Sequence, residues 1–89
     1  MQIDLGSIGN EKQLHELLSE YLSFPKYYGM NWDAFWDCLT DSVELPETIE
    51  FLNTHVLLAR LPKSFEQLKS CFLDLERECS AINCNVTWS

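Results

Sequence analysis

Eighty-nine residues, 46% of them hydrophobic and including three Trp, three Tyr and five Phe, supply one packed core and are too apolar for a disordered chain. A single domain, 1–89, folding without metal, cofactor or disulfide, is therefore expected. Six Lys and Arg against fourteen Asp and Glu leave a net charge of −8, which repels nucleic acid and anionic membranes and excludes both as direct partners. The acid is also local: no Lys or Arg occurs between Tyr27 and Ala59, where Asp33, Asp37, Asp41, Glu44, Glu47 and Glu50 accumulate. Such a field suits a basic protein partner.

The first residues, Met1 to Gly6, lack a basic stretch followed by an apolar one, and no apolar run approaches the ~20 residues of a spanning helix. A cytoplasmic protein is expected. Gln2 to Leu5 alternates and ends at Gly6, as a short strand would. Asn10 followed by Gln13 resembles a capping box, and Leu14, Leu17, Leu18, Tyr21 and Leu22 then recur at helical spacing, predicting an amphipathic helix with His15 partly exposed beside its stripe. Ser23-Phe24-Pro25 ends it, because the residue before proline avoids the helical region.

An aromatic loop follows, in which one of Tyr27 and Tyr28 is expected inside and the other outside, with Gly29 at positive φ. Asn31 is a suitable N-cap, and Asp33 stands where the helix dipole favours negative charge. At 100° per residue, Asp33, Trp36, Asp37 and Thr40 share one face of this second helix and Trp32, Phe35 and Leu39 the other. Asp33 and Asp37 lie four apart, a spacing at which like charges cost an isolated helix about 0.2–0.5 kcal/mol. A solvated acidic face accounts for both aspartates only if nothing is meant to bind there.

Past Pro46, Thr48 to Leu52 alternates as a second strand, with Ile49 and Phe51 expected on different faces of a sandwiched sheet. Thr54 to Leu61 predicts a short helix packing Val56, Leu57, Leu58 and Leu61 and stopped by Pro62. Ser64 with Gln67 forms a second capping pattern, ahead of the stripe Leu68, Cys71, Phe72, Leu75 and Cys79 in a long helix to about Ser80. Asn83 to Ser89 is a terminal strand. The order strand-helix-helix-strand-helix-helix-strand implies an α/β fold, a small parallel three-stranded sheet packed by about four helices.

Cys38, Cys71, Cys79 and Cys84 lack paired metal-ligand spacing and are expected as small buried hydrophobes. No phosphate loop, nucleophile elbow or metal-binding motif is present. Catalysis would have to rest on Asp33 and Asp37, as paired carboxylates or as Mg²⁺ ligands, with no other convergent polar group. A non-enzyme is expected.

The run Phe24 to Thr40, with its pattern Pro-x-Tyr-Tyr-Gly-x-Asn-x-Asp-Ala-x-Trp-Asp-Cys-Leu-Thr, resembles the barstar family of ribonuclease inhibitors, and the Leu14-His15 pair adds to the likeness. The resemblance implies a small parallel three-stranded sheet with helices and an immunity role, binding a secreted bacterial ribonuclease inside the producing cell. It implies that Asp33 and Asp37 face the basic residues that otherwise hold RNA phosphate, with Asp37 as the central plug. Tyr27 would pack on the enzyme's catalytic histidine, and Asn31, Trp36 and Thr40 would contact the enzyme or brace the helix. Asp74 is the first choice for a further acidic contact from the long helix, with Glu76 and Glu78 as alternatives.

Asp41 and Ser42 depart from the family's usual glycine and aromatic residue, and Met30 and Trp32 are bulkier than usual. These departures allow a different partner, and Asp41 could widen the acidic surface toward it. The expected partner is a basic extracellular-type ribonuclease or toxin nuclease domain, met by a protein that is monomeric when free. The alternative is a non-inhibitory interaction module that binds another basic protein.

Overall fold

In the computed structural model, which describes residues 1–42, 45–78 and 84–89, the elements follow in the expected order. They are β1 (Gln2–Asp4), α1 (Glu11–Tyr21), α2 (Trp32–Asp37), β2 (Thr48–Leu52), α3 (Thr54–Arg60), α4 (Pro62–Glu78) and β3 (Asn85–Trp88). A π-helical turn, Cys38–Ser42, prolongs α2. The strands form one parallel sheet in the order β1-β2-β3, the α/β arrangement the sequence implies. Glu44, Cys79, Ser80 and Asn83, to which expectations were attached above, lie outside the described residues.

Asn10 caps α1 by accepting from the Gln13 amide at 2.9 Å. The return bond differs from a capping box, since Gln13 Oε1 accepts from Gly9 N at 2.7 Å and not from the cap's own amide. Leu14, Leu18 and Leu22 are buried, but Tyr21 is 42% exposed and His15 only 1%. The buried face thus includes His15, with Leu17 half-buried against the core and Tyr21 turned outward, and the partly exposed histidine foreseen there is a core residue. Ser23, at φ 57°, and Pro25 end the helix.

Of α3's apolar positions Leu57 is fully buried, Val56 and Leu61 are half-buried, and Leu58 is exposed. Pro62 does not merely stop α3; it is the first residue of α4, a position where its missing N–H removes no helical hydrogen bond. The expected cap at Ser64 therefore fails. Ser64 sits one turn inside α4, buried, with its hydroxyl 3.3 Å from Glu11 Oε1 on α1.

Parallel register sets Ile3 beside Phe51, Ile49 beside Val86 and Phe51 beside Trp88. Residues two apart on a strand share a face, so Ile49 and Phe51 point into the same core, contrary to the expectation of opposite faces. Gln2, Thr48, Asn85 and Thr87 on the other face are exposed, and Gln2 donates to Glu50 Oε1 there at 2.9 Å. Among the described residues, the helices pack on the face of Ile3, Ile49 and Phe51, and the other face presents mainly polar side chains with Leu52 half-buried among them.

Aromatic contacts run from that covered face outward. Phe51 stacks on Trp88 at 4.7 Å and meets Phe72 of α4 at 5.6 Å; Phe72 meets Phe35 of α2 at 6.0 Å. Phe35 in turn meets Phe24 at 5.6 Å and Trp32 at 5.3 Å. The short helix is thereby tied to the sheet through α4. Phe51→Ala should lower stability by about 3–5 kcal/mol in denaturant unfolding, while Thr87→Ala on the open face should stay within about 0.5 kcal/mol.

Candidate partner-binding site

Asn31 caps α2 from an extended backbone, accepting from the Ala34 amide at 2.7 Å. Its amide nitrogen donates to Gly29 O at 3.2 Å. Gly29 does not take the expected positive φ; Met30 does, at 55°. What Gly29 supplies is room, since a Cβ there would lie 3.3 Å from Asn31 Nδ2 and 3.4 Å from Ala34 Cβ. The left-handed conformation disfavours any residue with a Cβ, and Met30 holds it while 41% exposed.

Of the tyrosine pair, Tyr27 is 83% exposed and Tyr28 7%, as the loop reading expects. Phe35 and Leu39 are buried and Trp32 is half-buried, so α2 turns Asp33 and Asp37 to solvent, with Trp36 and Thr40 half-buried at the margin. Asp41 is exposed on the π-helical turn. Among the described residues, none of these three aspartates has an ion-pair partner. Thr40 Oγ1 donates to the carbonyls of Trp36 at 3.0 Å and Asp37 at 3.3 Å, which braces the turn from inside.

Two thiols lie beneath this face. Burial, with the carboxylates of Asp74 and Asp33 nearby, pushes the Cys71 thiol up to about 11. Burial and then Asp37 push Cys38 upward as well. Both therefore stay protonated and unreactive at neutral pH. Asp74, half-buried, lies three residues after Cys71 on α4, one helical turn along. Glu76 lines a cleft with Cys84, Val86 and Trp88 on the β3 side, and Glu78 is exposed at the helix end. Asp74 is paired with Arg77.

The segment 27–41 is underpinned by polar contacts the sequence did not reveal. His15 Nδ1 lies 2.5 Å from the Tyr28 hydroxyl, and the His15 ring packs 4.5 Å from Trp32. Trp32 Nε1 donates to Glu11 Oε1 at 2.6 Å. Burial holds the His15 imidazole below its ordinary 6.5 against the opposing pull of Glu11, and burial raises the Tyr28 hydroxyl above its usual range. One signal was available: His15, Leu18 and Leu22 are spaced at i, i+3 and i+7, as good a helical stripe as the one read through Leu17 and Tyr21.

Among the described residues, no three His, Cys, Asp or Glu are grouped to hold a metal ion, and no helix is long and apolar enough to cross a membrane. What remains is an acidic surface on α2 without an ion-pair partner among the described residues, following a loop that exposes the Tyr27 ring, and its charge suits a cationic protein surface. The fold and this surface together define a small α/β protein that presents a short acidic helix. Residues 1–87 match the family model described as "Barstar (barnase inhibitor)", and the chain belongs to that family. It is similar to a Bacillus subtilis (strain 168) protein named "Putative ribonuclease inhibitor YrdF", with 41% identity over 81 residues, covering 79% of this chain and 89% of that protein.

Substitutions at two positions test the loop. Asn31→Ala should cost about 1 kcal/mol in denaturant unfolding and Asn31→Gly only a few tenths. Met30→Gly should instead stabilise, by up to about 1 kcal/mol, if relief of the positive φ outweighs the freedom glycine adds to the unfolded chain.

Proposed function

We propose that this protein is an intracellular, non-catalytic inhibitor that occludes the active site of a microbial ribonuclease, with α2 as a mimic of RNA phosphate. The observation that carries the reading is the outward pair Asp33 and Asp37, without an ion-pair partner among the described residues, on a helix whose opposite face is locked into the core. A ribonuclease cleft must be basic to bind its substrate. Carboxylates on a rigid helix offer it charge and acceptor oxygens but no scissile bond.

Magnitudes favour a binding role over a decorative one. The like-charge pair costs α2 only about 0.2–0.5 kcal/mol, whereas leaving one member of a buried ion pair unpartnered costs about 3–5 kcal/mol. In this reading Asp37 is the central plug, Asp33 and Tyr27 flank it, and Trp36, Asn31 and Thr40 contact the enzyme or brace the helix. Asp74 is the first choice for an acidic contact from α4, with Glu76, which lines a surface cleft together with it, and Glu78 as alternatives. Asp41 extends the surface and contributes to the choice of partner. Membership of the family and the name of the Bacillus relative support the same direction.

Titration into a panel of small secreted ribonucleases and toxin nuclease domains should find at least one that is inhibited stoichiometrically, with association slowed by salt. Asp37→Ala should then weaken binding by at least about 3 kcal/mol, some two orders of magnitude, and Asp41→Ala by no more than about 1 kcal/mol. Negligible effects of both, or tight capture of a non-nuclease without inhibition of any nuclease, would reject the plug.

A further inference from the structure

The acidic helix is too short to hold itself, since isolated helices below about 12–15 residues are marginal in water and α2 has six. Its geometry depends on how its first turn is anchored. Asn31 O accepts from the Phe35 amide at 2.9 Å, as the first bond of the helix. The same oxygen lies 3.4 Å from the Tyr28 hydroxyl, and that hydroxyl is 2.5 Å from His15 Nδ1. A continuous polar path thus joins α1 to the first turn of α2. The His15 ring also packs against Trp32, the first residue of α2, so one side chain grips both ends of the segment bearing Met30 and the Asn31 cap.

We propose that His15 is the positioning residue of the acidic site, holding the Tyr28–Trp32 loop in its binding conformation while neutral and releasing it on protonation. The proposal rests on the inhibitor reading only for what the loop is used for; the latch itself belongs to the free protein. Among the described residues, His15 Nε2 is buried without a hydrogen-bond partner. A neutral ring can leave that nitrogen as a bare lone pair. The cation must place an N–H there with no acceptor, in a site from which water is excluded.

The facing groups do not rescue the cation. From α1, Glu11 attracts it, yet Glu11 Oε1 already accepts from Trp32 Nε1 at 2.6 Å and lies 3.3 Å from the Ser64 hydroxyl of α4. From the loop, Tyr28 is a neutral phenol; Cys38 and Cys71, which bear on Tyr28, are neutral thiols. Burial outweighs Glu11 and lowers the folded pKa. The unfolded chain therefore binds the proton more readily. The stability that neutral His15 contributes is full above the ordinary value of 6.5 and is lost as pH falls through the lower folded value.

Amide hydrogen exchange in the free protein tests the latch. Two protected amides report on it, Tyr28 N bonded to Pro25 O at 3.0 Å and Ala34 N bonded to Asn31 Oδ1 at 2.7 Å; Leu68 in α4 is the reference. Between about pH 7.5 and 5.5, after correction for intrinsic rates, exchange at positions 28 and 34 should accelerate severalfold relative to Leu68, with about tenfold as the ceiling that one proton taken up at an ordinary 6.5 allows. Tyr28→Phe should open both positions at the higher pH and remove the acid response. His15→Asn, which offers a hydrogen-bonding atom near the place of Nδ1 without a titrating ring, should restore protection and give a flat profile.

With any nuclease found to be inhibited, the wild type should lose affinity on acidification more steeply than His15→Asn. Loop exchange that follows Leu68 at every pH, or is unchanged by Tyr28→Phe, would overturn the proposal. A panel in which no nuclease is inhibited would defeat the inhibitor reading and leave the exchange result to decide the latch.

Discussion

Phe35 determines which way the acidic helix faces. Fully buried, it meets Phe24, Trp32 and Phe72 edge-on, and Phe72 passes the constraint to Phe51 in the central strand. With the ring fixed, helical periodicity leaves Asp33 and Asp37 no direction except solvent. The sheet thus serves the site at a distance, as a rigid backing for α4, which in turn backs α2. That a sheet so small can do this follows from the face carrying Ile3, Ile49 and Phe51, all fully buried, where the apolar burial is concentrated.

The acidic surface is preorganised because its charges sit on a helix braced at both ends, by the Asn31 cap and by the Thr40 hydroxyl on the Trp36 and Asp37 carbonyls. A partner that binds it need not immobilise a flexible acidic loop, so less of the interaction is lost to ordering. Asp74 is preorganised differently. Arg77 holds it, so a cationic partner must compete with a cation already present, and its contribution is expected to be smaller than that of Asp33 or Asp37.

Element order, the parallel sheet, the Asn31 cap and the two faces of α2 were legible in the sequence, because each follows from a local period or a capping residue. The residue types of His15, Ser64 and Gly29 point to a surface histidine, a helix cap and a positive-φ glycine, and in each case a neighbour decides otherwise. Tyr28 drew His15 inward, Pro62 started α4 ahead of Ser64, and the Asn31 side chain required Gly29 for clearance while Met30 took the left-handed turn. The misplaced face of Ile49 and Phe51 came from assuming that a parallel sheet is covered on both sides, which the polar residues at Gln2, Thr48 and Thr87 already contradicted. Polar pairs across long sequence separations, such as Glu11 with Trp32 and Ser64, have no periodic signature.

The uncompensated aspartates of α2 also bear on how this protein can evolve. A lysine or arginine four residues from either one would relieve the free molecule, and so would neutralising one of the pair. In the proposed inhibitory role, each such change would also weaken the negative field offered to a basic partner. Selection for a longer-lived fold and selection for a tighter grip therefore pull against each other on this helix. Durability gained without loss of binding has to come from elsewhere, and the polar outer face of the sheet, remote from these aspartates in the packing order, is where the chain has latitude to change.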